Sequence, residues 1–385
     1  MIKIPKYYDW WFDNAIEFLG YLLERLNVKA EWNDGISFPE LNNNQVNQLV
    51  ERIEELIEPK LKYKKKNENG LIEIKNRAYL PTMHKGKYVN FLRQLTSSKR
   101  KIVNSLFADN FPNRKQICDI CSRSYDDQFK ISKAAQIVYP TITSSLSSQS
   151  GIRKIQPDYL CCPLCAFLGC IEWLDDIPFA CDHGNLTHYL LFPNMENLPE
   201  LHKFKNIVRQ GLTQRPYSNV ISMKQTSKGE EFEAYTADAY SLLLSLFENM
   251  ALRIKVIKRF ENIFMDKWIY LRIKGMDATY QTKYTYSEEI KIPNIKNLEE
   301  IFKELQKPYS NFIDKSFATP VKREGVSKEI IYAITRENKY LMSKGIILDD
   351  FKTFSKAFQI RQNCTISVNK EMLDKLVKLW RCKND

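Results

Sequence analysis

The chain has 385 residues, 44% of them apolar, with 58 Lys and Arg against 46 Asp and Glu for a formal net charge of +12. Its length predicts two or three domains with real cores, and no apolar run approaches the roughly 18 residues of a membrane span. No secretory leader precedes the first amphipathic segment, so the chain reads as cytoplasmic, its nine cysteines are not a disulfide framework, and its positive charge favours a polyanionic partner.

Tyr7 to Val28 carries the apolar periodicity of a core helix, with Trp10, Trp11, Ile16, Leu19, Leu22, Leu23 and Leu26 on one broad face. Gly35 to Phe38 reads as a short extended piece, and Asn43 or Asn44 is placed to cap a helix that runs through Glu58 and stops before Pro59. Lys60 to Gly70 then reads as a basic turn, with Leu71–Lys75 and Ala78–Leu80 as the strands of a hairpin around Asn76 and Arg77. Lys87 to Phe107 is a further expected helix. Between Lys60 and Lys115 there are fifteen Lys or Arg against three acidic residues, which makes this stretch a basic patch rather than a mixed surface. Its candidate phosphate contacts are Lys64, Lys65, Lys66, Arg77, Lys85, Lys87, Arg93, Lys99, Arg100 and Lys101. Asn67, Asn69, Asn76 and the hydroxyl-rich loop around Ser144 to Gln149 are available for base edges.

Further on, Gln136 to Tyr139 resembles a strand, Ala166 to Trp173 is apolar, and His188 to Pro193 reads as a buried strand. Leu198 to Gly211 is an expected helix with a glycine stop, Val220–Lys224 and Phe232–Tyr235 are expected strands, and Ala237 to Ala251 is an apolar helix. Trp268–Lys274 and Tyr280–Tyr286 have strand chemistry, and from Leu298 the pattern is mainly helical to Lys383. The order predicts an α+β fold: a mixed N-terminal body over 1–293, with a structural zinc-knuckle subdomain inserted at about 116–185, followed by a mainly helical C-terminal domain over 294–385.

That insertion rests on two C-x-x-C pairs, Cys118-Asp119-Ile120-Cys121 and Cys162-Pro163-Leu164-Cys165, separated by the 40 residues from Ser122 to Cys161. Two residues between cysteines let both sulfurs face one ion from a tight turn, and two such knuckles supply the four ligands of a tetrahedral zinc site. Four thiolates leave no position open for water or substrate, so the expected zinc is structural. Cys161, Cys170 and Cys181 have no role in this scheme, and Cys364 and Cys382 read as packing or surface thiols.

Catalysis has little to stand on. An HNH-type nuclease keeps a histidine between its cysteine pairs, and none of His84, His183, His188 and His202 lies there. Asp182-His183 follows both pairs and lacks partners, Asp175-Asp176 and Asp349-Asp350 are adjacent carboxylates that diverge on regular backbone, and no phosphate loop, dinucleotide loop, nucleophile elbow or zincin helix is present. The expectation is a binding protein with no catalytic residue.

With Cys118-x-x-Cys121 and Cys162-Pro163-x-Cys165 in a basic chain, the sequence resembles the CRISPR-associated CXXC-CXXC family, the large subunit of type I, mainly I-B, Cascade complexes. The resemblance implies an α+β body with a helical bundle and the four cysteines as zinc ligands. It implies assembly with crRNA, repeated backbone subunits and crRNA-end subunits, with or without a separate small subunit. The implied work is recognition of the protospacer-adjacent motif on double-stranded target DNA, opening of the duplex and stabilisation of the displaced strand, while a recruited helicase-nuclease does the cutting. Two readings remain beside it: a free-standing zinc-stabilised DNA-binding accessory protein, and a metal-dependent nuclease.

Overall fold

The computed structural model describes residues 1–66, 72–76, 116–125, 138–140, 161–175, 179–182, 187–212, 238–254, 267–274, 284–294, 318–321, 328–359 and 365–368, with 296, 298, 373–374 and 377–378 as shorter pieces. Within them the chain is a mixture of helix and sheet, as the order of apolar patterns predicts. Two compact units are formed, each from separated stretches of sequence. The first comprises Met1–Ile177, His183–Lys203 and Leu271–Glu288; the second comprises Pro178–Asp182, Phe204–Tyr270 and Glu289–Asp385.

The first unit is built on helix α1, Trp10–Arg25. It starts where it does because Asp9 sits in extended conformation and its carboxylate accepts from the backbone N–H groups of Trp11 (2.9 Å) and Phe12 (3.1 Å), satisfying donors that have no partner within the helix. The sequence expects one apolar face, yet the helix is buried on nearly every side, polar residues included. Those polar groups are satisfied: Asn14 Nδ2 donates to the carbonyls of Trp10 (2.7 Å) and Pro193 (2.9 Å), and Glu17 accepts from His202.

A three-stranded antiparallel sheet of β1 (Ile2–Pro5), β2 (Glu31–Asn33) and β3 (Gly35–Phe38), in the order β1-β3-β2, lies with α1. Its register sets Ile2 opposite Phe38 and Ile4 opposite Ile36, and all four are buried. Gly35, at φ 141°, links β2 to β3 where a Cβ would overlap the Ile4 backbone, so the turn requires glycine. Only β3 is anticipated by the sequence; β1 and β2 are too short to show a period without their partner.

Helix α2 spans Asn43–Leu61. Its cap is Asn42 rather than Asn43 or Asn44. Asn42 Oδ1 accepts from the Gln45 N–H (2.9 Å) while Gln45 Oε1 accepts from the Asn42 N–H (3.0 Å), a reciprocal pair that satisfies two orphan donors. The helix also runs through Pro59, whose missing N–H deletes only one bond in the final turn. Beyond it, β4 (Lys62–Lys66) pairs antiparallel with β5 (Ile72–Asn76), Lys62 opposite Asn76 and Lys66 opposite Ile72. The basic hairpin exists, but the segment expected to be its turn supplies its first strand, to which β5 pairs back; the other expected strand, Ala78–Leu80, lies outside the described residues.

Strands β6 (Gln116–Ile117) and β7 (Ser124–Tyr125) form a small antiparallel ladder, and helix α3 covers Pro163–Glu172. Val138–Pro140 is a turn, where the sequence suggests the end of a strand. A four-stranded sheet runs in the order β11-β10-β9-β8, from β8 (Phe179–Asp182), β9 (Thr187–Pro193), β10 (Lys267–Lys274) and β11 (Tyr284–Lys291). Helix α4 (Leu198–Leu212) continues past Gly211 instead of stopping there, because a glycine inside a helix weakens it without breaking it.

In the second unit, helices α5 (Ala239–Ile254), α6 (Lys328–Ile347) and α7 (Phe351–Lys356) pack through α6, and Asp350 caps α7 by accepting from the Thr353 N–H (3.1 Å). The helical reading of 294–385 does not foresee β12 (Ala318–Val321) paired antiparallel with β13 (Thr365–Val368), a pairing between segments more than forty residues apart. The expected helix at Lys87–Phe107 and strands at Val220–Lys224 and Phe232–Tyr235 lie outside the described residues. Among the described residues no helix is long and apolar enough to cross a membrane.

Candidate metal centre

The two cysteine pairs reach one point from two different local structures. The first knuckle closes the β6–β7 ladder: the Cys118 N–H donates to the Arg123 carbonyl (2.9 Å), and the Ser122 N–H donates back to the Cys118 carbonyl (2.8 Å). Ser122 takes φ 56°, the left-handed conformation that turns the chain so that Cys118 and Cys121 present their sulfurs together. The second pair opens α3. Cys162 is the N-cap of that helix, its sulfur accepts from the Cys165 N–H (3.4 Å), and Pro163 occupies the first turn, where no N–H is needed. The C-P-x-C pattern is thus a helix start whose cap is a sulfur.

The structure brings together all four cysteines singled out by spacing. Their sulfurs lie within 4.8 Å of one another, with Cys121 and Cys162 at 3.7 Å. Disulfides need sulfurs at about 2.05 Å; these cysteines are free. A tetrahedral ion with metal–sulfur bonds of about 2.3 Å requires sulfur–sulfur edges of about 3.8 Å, so the cluster fits a four-thiolate ion with little movement. Cys118, Cys162 and Cys165 are buried and Cys121 is half-buried.

Electrostatics gives the same answer. Hydrogen bonding from Cys121 first, then Cys161, Cys162 and Cys165, holds the Cys118 thiol far below the usual range. Cys121 is also lowered: its bond with Cys118 acts upward, but those with Cys162 and Cys165 outweigh it. Cys162 is pushed up, chiefly by its hydrogen bond with Cys118, and Cys165 is pushed up by burial and then by Cys118. Ionisation of one part of the cluster therefore opposes ionisation of the rest, because negative sulfurs a few ångströms apart repel in an apolar setting. A divalent cation removes that conflict. The backbone assists by donating from the Cys162 N–H to Cys118 Sγ (3.3 Å).

No family model matches the chain, and no curated protein matches it.

Sequence patterning misses the surroundings of the cluster. Tyr7 places its hydroxyl 3.6 Å from Cys165 Sγ, and burial, then the negative Cys165 sulfur, raises its phenol well beyond the normal range. Cys161 is fully buried and donates to the Cys162 carbonyl at 3.4 Å. Behind them α3 packs against α1. Trp11 lies against Trp173 (ring centroids 4.8 Å apart) and donates from Nε1 to the Val138 carbonyl (2.7 Å), while Tyr139 stacks on Phe12 and its hydroxyl donates to Asp9 (2.7 Å). The only trace of this network in the sequence is the doubled cysteine at 161–162.

Of the candidate phosphate contacts, Lys64, Lys65 and Lys66 lie on β4, opposite Ile74, Glu73 and Ile72 of β5. Arg77, Lys85, Lys87, Arg93, Lys99, Arg100 and Lys101 lie outside the described residues, as do Asn67, Asn69, the Ser144–Gln149 loop and His183. Asn76 is paired with Lys62 in the hairpin. Cys170 is buried within α3, and Cys181 and Asp182 belong to β8. Asp350 caps a helix and Asp349 accepts from Asn294 Nδ2 (2.9 Å), so that carboxylate pair has structural work. His202 is fixed between Glu17 (2.8 Å) and Glu24 (3.1 Å) with its ring stacked on Trp32 at 3.9 Å.

Proposed function

We propose that the chain is the non-catalytic large subunit of a type I CRISPR Cascade surveillance complex, stapled by one structural zinc ion. In that role it inspects the protospacer-adjacent motif on duplex DNA, helps to open the duplex and stabilises the displaced strand. The observation that carries the reading is the closed cluster of Cys118, Cys121, Cys162 and Cys165, formed by two knuckles 40 residues apart, the pattern on which the resemblance to the CXXC-CXXC family rests.

Zinc held by four thiolates supplies a fixed divalent charge that neutralises the sulfurs and leaves no coordination position for substrate. The chain's own residues do the rest: Ser122 and Pro163 shape the knuckles, and Cys162 starts α3. The basic stretch from Lys60 to Lys115, including Lys64, Lys65 and Lys66 on β4, supplies phosphate contacts that position nucleic acid without reading it.

The test is to purify the tagged chain from its native cells, sequence any bound RNA and assay metal in the same sample. crRNA, repeated backbone subunits and about one zinc per chain are the expected result. Zinc with salt-sensitive DNA binding but without RNA or partners would replace this reading with a free-standing DNA-binding protein. Metal-dependent DNA cleavage lost on changing Asp182 and His183 would replace it with a nuclease.

A further inference from the structure

Tyr8 is a large aromatic residue that the fold fixes in place and leaves uncovered. It is 75% exposed, and its φ of 57° lies in the left-handed region that bulky side chains avoid. We infer that the Tyr8 ring is a stacking platform for a base of single-stranded nucleic acid, held ready by Asp34 and Lys6. This rests on the nucleic-acid reading of the proposed function.

The backbone supplies the first step. Tyr8 joins β1 to Asp9, the cap of α1, and the chain reverses there through a left-handed residue. Glycine takes that conformation freely and asparagine nearly so, whereas a tyrosine is strained in it. Burial does not compensate, because the residue is exposed. The side chain is nevertheless anchored. Its hydroxyl donates to Asp34, 3.1 Å from Oδ1 and 3.4 Å from Oδ2, and the Asp34 carbonyl accepts from the Lys6 N–H at 3.2 Å. Lys6 Nζ lies 4.7 Å from the ring centroid. The Lys6 side chain is itself buried, donating to the Glu196 carbonyl and lying 3.9 Å from Asp13, so the cation approaches the ring from the protein interior and the open part of the ring faces away from it.

These features select the ligand. A cation under one face draws on the negative quadrupole of the ring, so a second cation on the open face is disfavoured, and the amine and guanidinium groups that exposed aromatic residues otherwise take fit poorly. A flat, uncharged ring stacks there without that conflict. The polymer that carries flat rings and is drawn to a chain of net charge +12 is a nucleic acid. Its base must be unpaired, since inside a duplex both faces are covered by neighbouring bases. A ring already fixed at its hydroxyl loses little freedom when a base settles on it. Stacking accepts every base, so Tyr8 contributes affinity for the strand and not its sequence.

The experiment uses the chain as purified from its native cells, with any subunits that accompany it, and two probes of equal length: an adenine-rich single-stranded oligonucleotide, and an abasic oligomer with the same deoxyribose-phosphate backbone. The parent is expected to bind the base-bearing probe more tightly. Tyr8→Ala is expected to weaken that binding by about 5–150-fold, the range for losing one stacked base, while binding the abasic oligomer as the parent does. Tyr8→Trp, which keeps a stacking ring, is expected to bind at least as tightly as the parent. Tyr8→Gly removes ring and strain together, and is expected to lose the base-dependent affinity without a lowered denaturant midpoint. Equal binding of the two probes by the parent, or unchanged binding of the base-bearing probe by Tyr8→Ala, overturns the platform and leaves phosphate contacts elsewhere standing. A loss that falls equally on both probes also overturns it, and a lowered midpoint for Tyr8→Gly would then assign the ring to the fold. A parent that binds neither probe is a separate result, which overturns the nucleic-acid reading itself.

Discussion

Cysteine spacing is legible because a knuckle is local: two intervening residues set both sulfurs, and the sequence alone therefore reaches Cys118, Cys121, Cys162 and Cys165. Tyr7 and Trp11 are not legible in this way, since nothing near them in sequence shows that they will meet Cys165 and the Val138 carbonyl more than a hundred residues away. Each ligand should be indispensable. Cys165→Ser replaces a buried thiolate with a hydroxyl that binds zinc poorly, and metal retained through dialysis against a chelator should fall from about one ion per chain to near none; full retention would remove Cys165 from the ligand set. Asp13 gives a pH-dependent prediction. Its carboxylate accepts from the Tyr7 N–H (2.8 Å) and lies 3.9 Å from Lys6, yet burial, the largest cause, raises its pKa to about 6 from 3.8. The folded state thus holds the proton more tightly than the unfolded state, so this contribution to stability is complete below about pH 4 and is lost as pH rises through about 6. A change of that size corresponds to roughly 3 kcal/mol. Urea melts of parent and Asp13→Asn at pH 4 and pH 7 should show the variant gaining on the parent at the higher pH by up to that amount. A constant difference at the two pH values would show that Asp13 does not titrate in this range.

Elements with a strong period of their own were readable: α1, β9, α4, α5 and β10 each follow an apolar pattern of the right repeat. Short strands were not. Ile2–Pro5 becomes a strand only because Ile36 and Phe38 complete its register, and Ala318–Val321 only because Thr365–Val368 returns to it. The basic segment Lys62–Lys66 shows the same dependence, its polarity suggesting a turn while its pairing with Ile72–Asn76 makes it a strand. Helix α3 illustrates how one element couples packing to the metal centre. Its first turn carries Cys162 and Cys165, and one turn further Gly169 lies so close to the Val138 carbonyl that any Cβ would overlap it. That carbonyl is the acceptor for Trp11 Nε1, so displacing it also strains the α1 contact. Gly169→Ala should gain a little helix propensity but lose more to overpacking, for a net cost of about 1–3 kcal/mol. Denaturant midpoints of the metal-loaded proteins check this, and an unchanged or raised midpoint would mean that the Val138 turn yields without cost.

At the scale of the whole molecule, the metal centre lies entirely within the first compact unit, which contains both knuckles, Tyr7 and α1. Its ligands are separated by 40 residues of sequence, and closing a loop of that length is an entropic cost that unbound sulfurs, repelling one another when ionised, do nothing to offset. Bound metal reverses the balance, because any ligand that binds only the folded form stabilises it; at a free concentration a thousand times the dissociation constant the gain is about 4 kcal/mol. The gain should be local to the first unit. Tyr7 leads into Asp9 and the start of α1, and α3 begins at the ligands themselves. Hydrogen exchange of zinc-loaded and chelator-treated protein should therefore show protection falling over 10–25 and 163–172 when metal is removed. Helices α6 and α7 of the second unit contribute no residue to the cluster and supply the internal reference. Loss of protection over 10–25 and 163–172 with little change over 328–356 is the expected pattern, and it would identify the metal as the staple of one unit. Loss spread evenly through both would instead make the ion a condition for folding the entire chain, and no change anywhere would leave the cysteine cluster with no stabilising role.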